Sequence, residues 1–473
     1  MTTLDVDVAV IGAGTAGLVA LREIRKVTDR FVLIQHGPMG TTCARVGCMP
    51  SKVLIQTAED FHRRAFLDAK GIRGGELLRV DGADVMRHVR TLRNRFTDGM
   101  IEKTLQYGDK LIRGRARFVN ANRLDVEGRI IEADRIIIAT GSRPAVPDKW
   151  KMFGSRVLTS DTIFELHTLP ESLAVIGMGV IGVELGQAMA RLGVEVVGVA
   201  RSGRIAALSD PAVTESAAAA LSQELDLWSG HPADLAADGS RFTVTAGPHK
   251  KNVDAVLVSV GRIPNVDDLG LERLGIPLND RGVPEYDPDT LQVGSLPIFI
   301  AGDANARYPI LHEAWDDGRV AGYNAAHEEP ACFKRRTPLN ITFCHSNIVA
   351  AGLRFNQLKE SNIIIGQCRF DDQGRAVILD RNVGLMRIYA EPRKGCLLGT
   401  EMFAPAGEHL GHLLAWAIQQ QLTVFDVLRL PFYHPVIEEG LRTALQELAA
   451  QVRDKPDFPE MAFCDESPLS SLS

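Results

Sequence analysis

The chain has 473 residues, a mass of 51.6 kDa and a net charge of −6, too long for one small core and without the basic excess of a nucleic-acid binder. Apolar residues make up 45% and charged residues 24%, as in a globular protein of about two to four domains. The 7 cysteines are spread too thinly for a secreted disulfide scaffold, the first residues lack the basic region of a signal peptide, and no apolar run is long enough to span a bilayer. A cytoplasmic location with no membrane or nucleic-acid partner is the expectation.

Residues 6–11 are nearly all apolar after Asp7 and read as a buried parallel strand. They run into Gly12-Ala13-Gly14-Thr15-Ala16-Gly17, then helical spacing over 18–25 and a second apolar strand over 31–34. Strand, glycine turn, helix and strand make a dinucleotide-binding fingerprint. In it Gly12 makes the tight turn, Gly14 admits a pyrophosphate, and Gly17 lets helix and strand approach. The plainer alternative is a glycine-rich turn with no ligand. An acidic residue should close the second strand and hold a ribose hydroxyl. Gln35 stands there, with an amide that can still hydrogen-bond a hydroxyl.

Two cysteines five positions apart follow, in Gly40-Thr41-Thr42-Cys43-Ala44-Arg45-Val46-Gly47-Cys48-Met49-Pro50-Ser51-Lys52. Pro50 suits a helix start, and Val53, Leu54, Thr57, Ala58 and Phe61 give a mostly apolar stripe, predicting a helix over 51–64. Cys48 then lies just before the helix, where free N–H groups favour a thiolate. A redox dithiol needs one thiolate to attack and a second cysteine close enough to close a disulfide. Two ordinary buried cysteines are the alternative. A zinc knuckle would need a second cysteine pair, so no metal is expected.

Residues 83–107 have helical periodicity, with Arg87, Arg90, Arg93 and Arg95 on a face expected to be solvated. Short strands over 110–118, 123–126 and 129–133 suggest an antiparallel excursion. A buried strand over 135–139 ends in Thr140-Gly141-Ser142-Arg143-Pro144, a turn where the chain can leave the first domain.

A second fingerprint follows: a strand over 173–176, Gly177-Met178-Gly179-Val180-Ile181-Gly182, a helix over 183–192 and a strand over 194–199. Two such units imply two nucleotides, or a duplication that kept one. The second strand closes on Ala200 with no carboxylate nearby, and Arg201 and Arg204 follow. A 2′-phosphate is repelled by a carboxylate and attracted by arginines, which leans toward NADPH; two solvated arginines are the alternative. Glu184, inside the helix, asks for a partner such as Lys52. An apolar strand over 251–260 ends in Gly261-Arg262-Ile263-Pro264-Asn265, repeating the logic of 139–144. Another over 296–301 is closed by Gly302-Asp303, whose carboxylate points into a ligand crevice. A helix over 312–326 follows.

The last third changes character. Strands over 340–343, 363–370, 383–389 and 396–403 precede helices over 407–420, 424–429 and 438–452, an α+β layer with no glycine fingerprint and a candidate for dimerisation. Within it His434 precedes Pro435, and Glu439 is close along the chain. A carboxylate that orients an imidazole makes a general base, provided that the ring reaches the dithiol. The Ser/Pro-rich tail beyond 458 is expected to be loosely ordered, and Cys464 there has no cysteine neighbour.

Over nearly its whole length the chain resembles the flavoprotein pyridine nucleotide-disulfide oxidoreductase family, in its dihydrolipoamide dehydrogenase-like branch. The stretch 40–52 is similar to the family's redox signature. That resemblance implies that Cys48 lies next to the flavin and that Cys43 is the interchange thiol. It implies a Lys52–Glu184 ion pair beside the flavin ring and Asp303 on the FAD ribityl chain, with Thr42, Thr140 and Gly141 in the same FAD site. Gly261 to Asn265 match a further signature. His434 and Glu439 match the family's base and its orienting carboxylate, supplied there by the partner subunit, so a homodimer is implied. Soluble transhydrogenases lack the first cysteine, which is present here. Mercuric reductases and large thioredoxin reductases carry a C-terminal redox pair, where this chain has only Cys464. Glutathione reductase remains similar and prefers NADPH, while Ser51-Lys52 looks more like the dihydrolipoamide enzyme. Gln35 replaces the usual acid, Ala200 the glutamate of NAD-linked members, and Ser346-Asn347 a usual Pro-Glu pair.

The expectation is therefore an α/β chain with two Rossmann-like nucleotide-binding domains, for FAD and for NAD or NADP, and a C-terminal α+β dimerisation domain. The expected boundaries are 1–147 and 266–335 for the FAD-binding part, 148–265 for the NAD(P) part and 336–473 for the interface. The expected activity is dihydrolipoamide oxidation through a Cys43–Cys48 disulfide and FAD to NAD(P)⁺, a lipoyl group on a carrier domain being one candidate substrate. The alternative is NADPH-dependent reduction of a low-molecular-weight disulfide. A flavoprotein that binds nucleotides without turnover is a third reading, opposed by the intact Cys43, Cys48 and His434 set.

Overall fold

The computed structural model describes residues 3–359, 362–457 and 460–461. In the first sheet β1 (Thr3–Ile11) lies parallel to β2 (Phe31–Gln35), with Ile11 opposite Ile34, and α1 (Thr15–Ile24) crosses between them. Then come α2 (Thr42–Val46), α3 (Cys48–His62) and the long α4 (Gly82–Leu105). Strands β3 (Leu111–Arg113), β4 (Ala116–Asn120), β5 (Arg123–Val126) and β6 (Arg129–Ile138) complete the order β3-β2-β1-β6-β5-β4. The segments expected as separate strands around 129–139 are one strand. Asp134, which reads as a break, only points outward from β6, which lies along β1 from Ile130 to Ile138 and pairs on its other edge first with β5. The arginine face of α4 is not fully solvated either. Arg93 is buried and bonded to Glu165, and Arg90 donates to the Leu166 carbonyl, while Arg87 and Arg95 stay exposed.

The two exit turns pair with each other, β7 (Ser142–Pro144) antiparallel to β16 (Arg262–Pro264), so the chain leaves and re-enters through one ribbon. Between them, after the short α5 (Asp148–Lys151), stands a parallel sheet. It contains β8 (Val157–Leu158), β9 (Ser172–Ile176), β10 (Glu195–Ala200), β11 (Asp226–Ser229) and β15 (Ala255–Val258), in the order β11-β10-β9-β15-β8. Helix α6 (Val180–Arg191) joins β9 to β10, and α7 (Pro211–Leu221) follows, capped by the Asp210 side chain. A meander of β12 (Ala233–Asp238), β13 (Arg241–Ala246) and β14 (His249–Val253) was not expected. The strand expected over 251–260 is split at Asp254 between this meander and β15.

The chain returns to the first sheet with β17 (Ile298–Ile300), parallel to β6, and α8 (Leu311–Ala326) packs on α1. Close approach there needs glycine: a Cβ on Gly318 would lie 2.4 Å from the Ala16 carbonyl oxygen. The last layer is an antiparallel sheet of β18 (Leu339–Thr342), β19 (Asn347–Gly352), β22 (Leu397–Ala404), β21 (Leu385–Ala390) and β20 (Ile364–Arg369). It is covered by α9 (Gly374–Ile378), α10 (Gly407–Gln419), α11 (Val424–Leu428) and α12 (Glu438–Gln451). Cys464 and most of the tail lie outside the described residues. Among the described residues no helix is long and apolar enough to cross a membrane, and no cluster of His, Cys, Asp and Glu could hold a metal.

Candidate active site

The two cysteines are brought together by a helix–turn–helix only a few residues long. Thr41 caps α2, its Oγ1 accepting from the Ala44 N–H at 3.2 Å. Gly47 then turns the chain, and α3 begins at Cys48 itself, not after it. A Cβ on Gly47 would lie 3.0 Å from the Thr42 oxygen and 3.2 Å from the Cys43 Cα, so a side chain there would push the two turns apart. Both thiols are free and half-buried. A hydrogen bond from Cys43 and the Lys52 charge bring the Cys48 thiol down to about 7 against the effect of burial. The same hydrogen bond, with burial, pushes the Cys43 thiol up. The pair is thereby polarised, with Cys48 the sulfur on which a thiolate is favoured.

Lys52 lies on the next turn of α3 and reaches across to α6, Nζ 2.7 and 2.8 Å from the two Glu184 oxygens. Glu184 also accepts the Phe343 N–H at 2.9 Å, and the Lys52 ammonium sits 4.6 Å from the Phe343 ring centroid. The first two layers and the third meet at this pair.

A cavity of about 1800 Å³ opens onto Cys43, Cys48, Gly14, Gly179, Arg201 and Asp303. Both fingerprints therefore face the dithiol across one space, and their glycines behave alike. A Cβ on Gly12 would lie 2.3 Å from the Ala139 oxygen, and one on Gly17 would lie 1.9 Å from the Gly12 oxygen. In the second unit the distances are 2.6 Å from Gly177 to the Ser259 oxygen and 1.9 Å from Gly182 to the Gly177 oxygen. The middle glycines differ: Gly14 has only one atom as far off as 4.0 Å, and Gly179 has nothing within 4 Å. These are open cradles at the first turns of α1 and α6, whose N–H groups suit a pyrophosphate. Thr140 adds a buried Oγ1 without a partner beside the first cradle. The residues present fit two dinucleotides.

Asp303 lines the cavity, its Oδ2 accepting from Ser142 Oγ at 2.6 Å. Gly141 and Gly261 line it too, at φ +71° and +125°, where a side chain would be strained. Thr42 is also on the wall. Arg201 and Arg204 stand exposed at the rim after the buried Ala200. Gln35 closes β2 and bonds to the loops on either side of it. Its Oε1 accepts the Ala13 N–H at 2.8 Å, and its Nε2 donates to the carbonyls of His36 and Pro38 at 2.7 and 3.2 Å. The amide braces the glycine loop with both N–H donors engaged, while its oxygen keeps a lone pair that can still accept a ribose hydroxyl.

His434 Nδ1 lies 2.9 Å from Glu439 Oε1, and Glu439 also accepts the Val436 N–H at 3.1 Å. The histidine contact, more than the backbone one, holds the Glu439 carboxyl below the usual carboxylate range. The His434 side chain is 81% exposed and lies outside its own chain's cysteine cavity. The sequence reading missed Phe343, Gln187 and His345. The signal was a polar stripe on an otherwise buried helix, Glu184, Gln187 and Arg191 at positions i, i+3 and i+7.

Residues 6–318 match the family described as pyridine nucleotide-disulphide oxidoreductase, and residues 339–445 match its dimerisation domain. A dihydrolipoyl dehydrogenase of Geobacillus stearothermophilus is 30% identical over 92% of this chain and 94% of its own length. A mercuric reductase of Bacillus cereus is 28% identical over 93% of this chain and 71% of its own. Among solved structures, a Cu(II) complex of the HOCl-induced flavoprotein disulfide reductase RclA from Escherichia coli superposes with a TM-score of 0.82 over 94% of this chain and 99% of its own. At 21% identity it bears on the fold alone. With both modules in place around a polarised dithiol, the chain belongs to the pyridine nucleotide-disulphide oxidoreductase family and is a flavin-dependent dithiol/disulfide oxidoreductase.

Proposed function

We propose that the enzyme uses NADPH to reduce a small disulfide, with Cys43 and Cys48 as its redox pair. The observation that carries this reading is the second cradle, which opens onto the dithiol and is rimmed by Arg201 and Arg204 where a carboxylate would exclude a 2′-phosphate. Gly12, Gly14, Gly17, Thr42, Lys52, Thr140, Gly141 and Asp303 would hold FAD. Gly177, Gly179, Gly182, Gly261 and the two arginines would hold the nicotinamide nucleotide. A bound flavin supplies two-electron exchange between a nicotinamide and a dithiol.

Cys48, the lower-pKa sulfur, would be the one to exchange electrons with a bound flavin, and Lys52 stabilises its charge. Once Cys43 has passed its proton to His434 it attacks one sulfur of the substrate and releases the other as a thiolate. Cys48 then attacks the Cys43 sulfur, the second substrate thiolate leaves, and the Cys43–Cys48 disulfide closes. His434, oriented by Glu439, protonates the leaving sulfur. Because it lies outside its own chain's cavity, it serves the dithiol of a second copy in a homodimer.

Dihydrolipoamide oxidation is the second reading, supported by the 30% identity to a dihydrolipoyl dehydrogenase. A mercuric reductase of nearly the same identity weakens that support, since likeness alone does not single out lipoamide. A steady-state screen of small disulfides with NADPH, beside dihydrolipoamide with NAD⁺ and NADP⁺, separates the two. Faster NADPH-linked disulfide reduction is expected, and turnover confined to dihydrolipoamide would overturn the proposal.

A further inference from the structure

Two ion pairs cross-link α3 to α6. The first is Lys52–Glu184. The second lies seven residues further along both helices, where Glu59 Oε2 meets Arg191 Nη1 at 2.6 Å. Seven residues are two helical turns, so the helices run parallel with two rungs about 10 Å apart. The charges are exchanged between rungs: α3 presents a cation and then an anion, α6 an anion and then a cation. A slip by two turns would set Glu59 against Glu184 or Lys52 against Arg191, so the pattern admits one register.

The second rung touches neither the dithiol nor the nucleotide cradles. It borders a separate cavity of about 230 Å³, with Glu184 on the wall between the two spaces. It is nonetheless the more buried rung, with Arg191 only 6% and Glu59 16% exposed against 34% for Lys52. Its members are also held from outside the two helices. Arg191 Nη2 donates to Glu224 at 2.8 Å, Glu59 Oε1 accepts from Arg381 at 2.7 Å, and His345 stands 3.8 Å from Glu59. Gln187, between the rungs, accepts the His345 N–H and donates to the His345 carbonyl at 2.8 and 2.9 Å. A buried ion pair seldom adds much net stability, and its best-attested use is to select one geometry.

We propose that Glu59 and Arg191 form a positioning pair that fixes α3 against α6 and so holds Lys52 beside the Cys48 sulfur. The inference rests on the reading of Cys48 as the reactive thiolate. Three charged or titratable groups face that sulfur: Cys43 from α2, Lys52 from α3 and Glu184 from α6. Replacing Glu59 with Gln removes a negative charge, which acting through space alone would favour the thiolate and lower its pKa. If the residue acts by position, α3 loosens, Lys52 withdraws and the pKa rises. The two mechanisms have opposite signs.

The test is the pH dependence of iodoacetamide alkylation at Cys48 in the reduced, flavin-loaded enzyme, with the modified residue located by mass spectrometry. Glu59→Gln should move the midpoint up by about half a pH unit or more, and the milder Glu59→Asp should move it part of the way. In a Lys52→Met background Glu59→Gln should add no upward shift. A lowered or unmoved midpoint overturns the proposal, and so does an equal rise in the Lys52→Met background. The wild-type curve tests the underlying reading separately. A wild type that does not titrate near 7 removes the thiolate and its positioning pair together, whereas a normal wild type with unmoved variants overturns the positioning pair alone.

Discussion

Replacing Lys52 with Met strips Glu184 of its counter-ion while leaving most of the side-chain volume in place. Glu184 is 5% exposed; its Oε1 would keep the Phe343 N–H, and its Oε2 would lose the ammonium at 2.7 Å. Breaking a buried pair from one side costs about 3–5 kcal/mol. Lys52 is 34% exposed, so water can reach the vacated position, and about 2–3 kcal/mol is a better figure. Loss of the ammonium–ring contact with Phe343 adds about 0.5 kcal/mol. Lys52→Met with Glu184→Gln should recover most of this, because the amide oxygen still accepts the Phe343 N–H and no charge is left buried. Urea midpoints of the wild type, both single variants and the double variant, at fixed protein and flavin concentrations, measure the coupling. Additive losses, with the double variant as unstable as the sum of the singles, would refute the reasoning. The Cys48 thiol should also titrate above 7 in Lys52→Met, since the Lys52 charge is one cause of its low value.

Converting both Arg201 and Arg204 to Gln should raise the KM for NADPH on the order of tenfold, exposed charged contacts to phosphate being weaker than closed ones, and leave that for NADH nearly unchanged; equal effects would remove the case for NADPH. His434→Gln should slow the dithiol half-reaction by about 10²–10⁴ and spare electron flow from nicotinamide to an artificial dye, as rapid mixing would show. Mixing Cys43→Ser and His434→Gln chains should restore one working site per heterodimer, and a mixture that exchanges subunits and stays inactive would place the base elsewhere. Burial and the Arg191 guanidinium push His345 down to about 4, while an unfolded imidazole takes its proton near 6.5. The folded state therefore binds fewer protons between those values, and the stability contributed by the neutral ring is complete above about 6.5 and lost as pH falls toward 4. The urea midpoint should fall across that window, and fall less in His345→Asn; parallel curves would contradict this.

What was legible in the sequence was what local geometry enforces. Gly12, Gly17, Gly177 and Gly182 sit where a Cβ would strike backbone, so the fingerprints declare themselves in the residue order. Cys43 with Cys48, and His434 with Glu439, are neighbours along the chain. Lys52–Glu184 was found because a carboxylate on a buried helix face demands a cation. The second rung was missed because Glu59 and Arg191, 132 positions apart, look like ordinary surface charges until the helices pack. The strand β19 was missed because Ala350, Ala351 and Gly352 give it little strand character, and the β12–β14 meander because β12 and β14 are largely exposed and only β13 alternates, burying Phe242, Val244 and Ala246. Gln35 shows a different limit. Its place at the end of the strand is plain in the residue order, but that its amide also braces the glycine loop by accepting the Ala13 N–H shows only once the loop is folded.

The central claim, that electrons from NADPH arrive at Cys43 and Cys48, is tested most directly by anaerobic titration of the oxidised, flavin-loaded enzyme with quantitative thiol labelling. One NADPH and one proton per active site should yield NADP⁺ and two new thiols, both located at Cys43 and Cys48 and absent when either is replaced by Ser. NADPH oxidation without new thiols, or thiols appearing at other cysteines, would contradict the account.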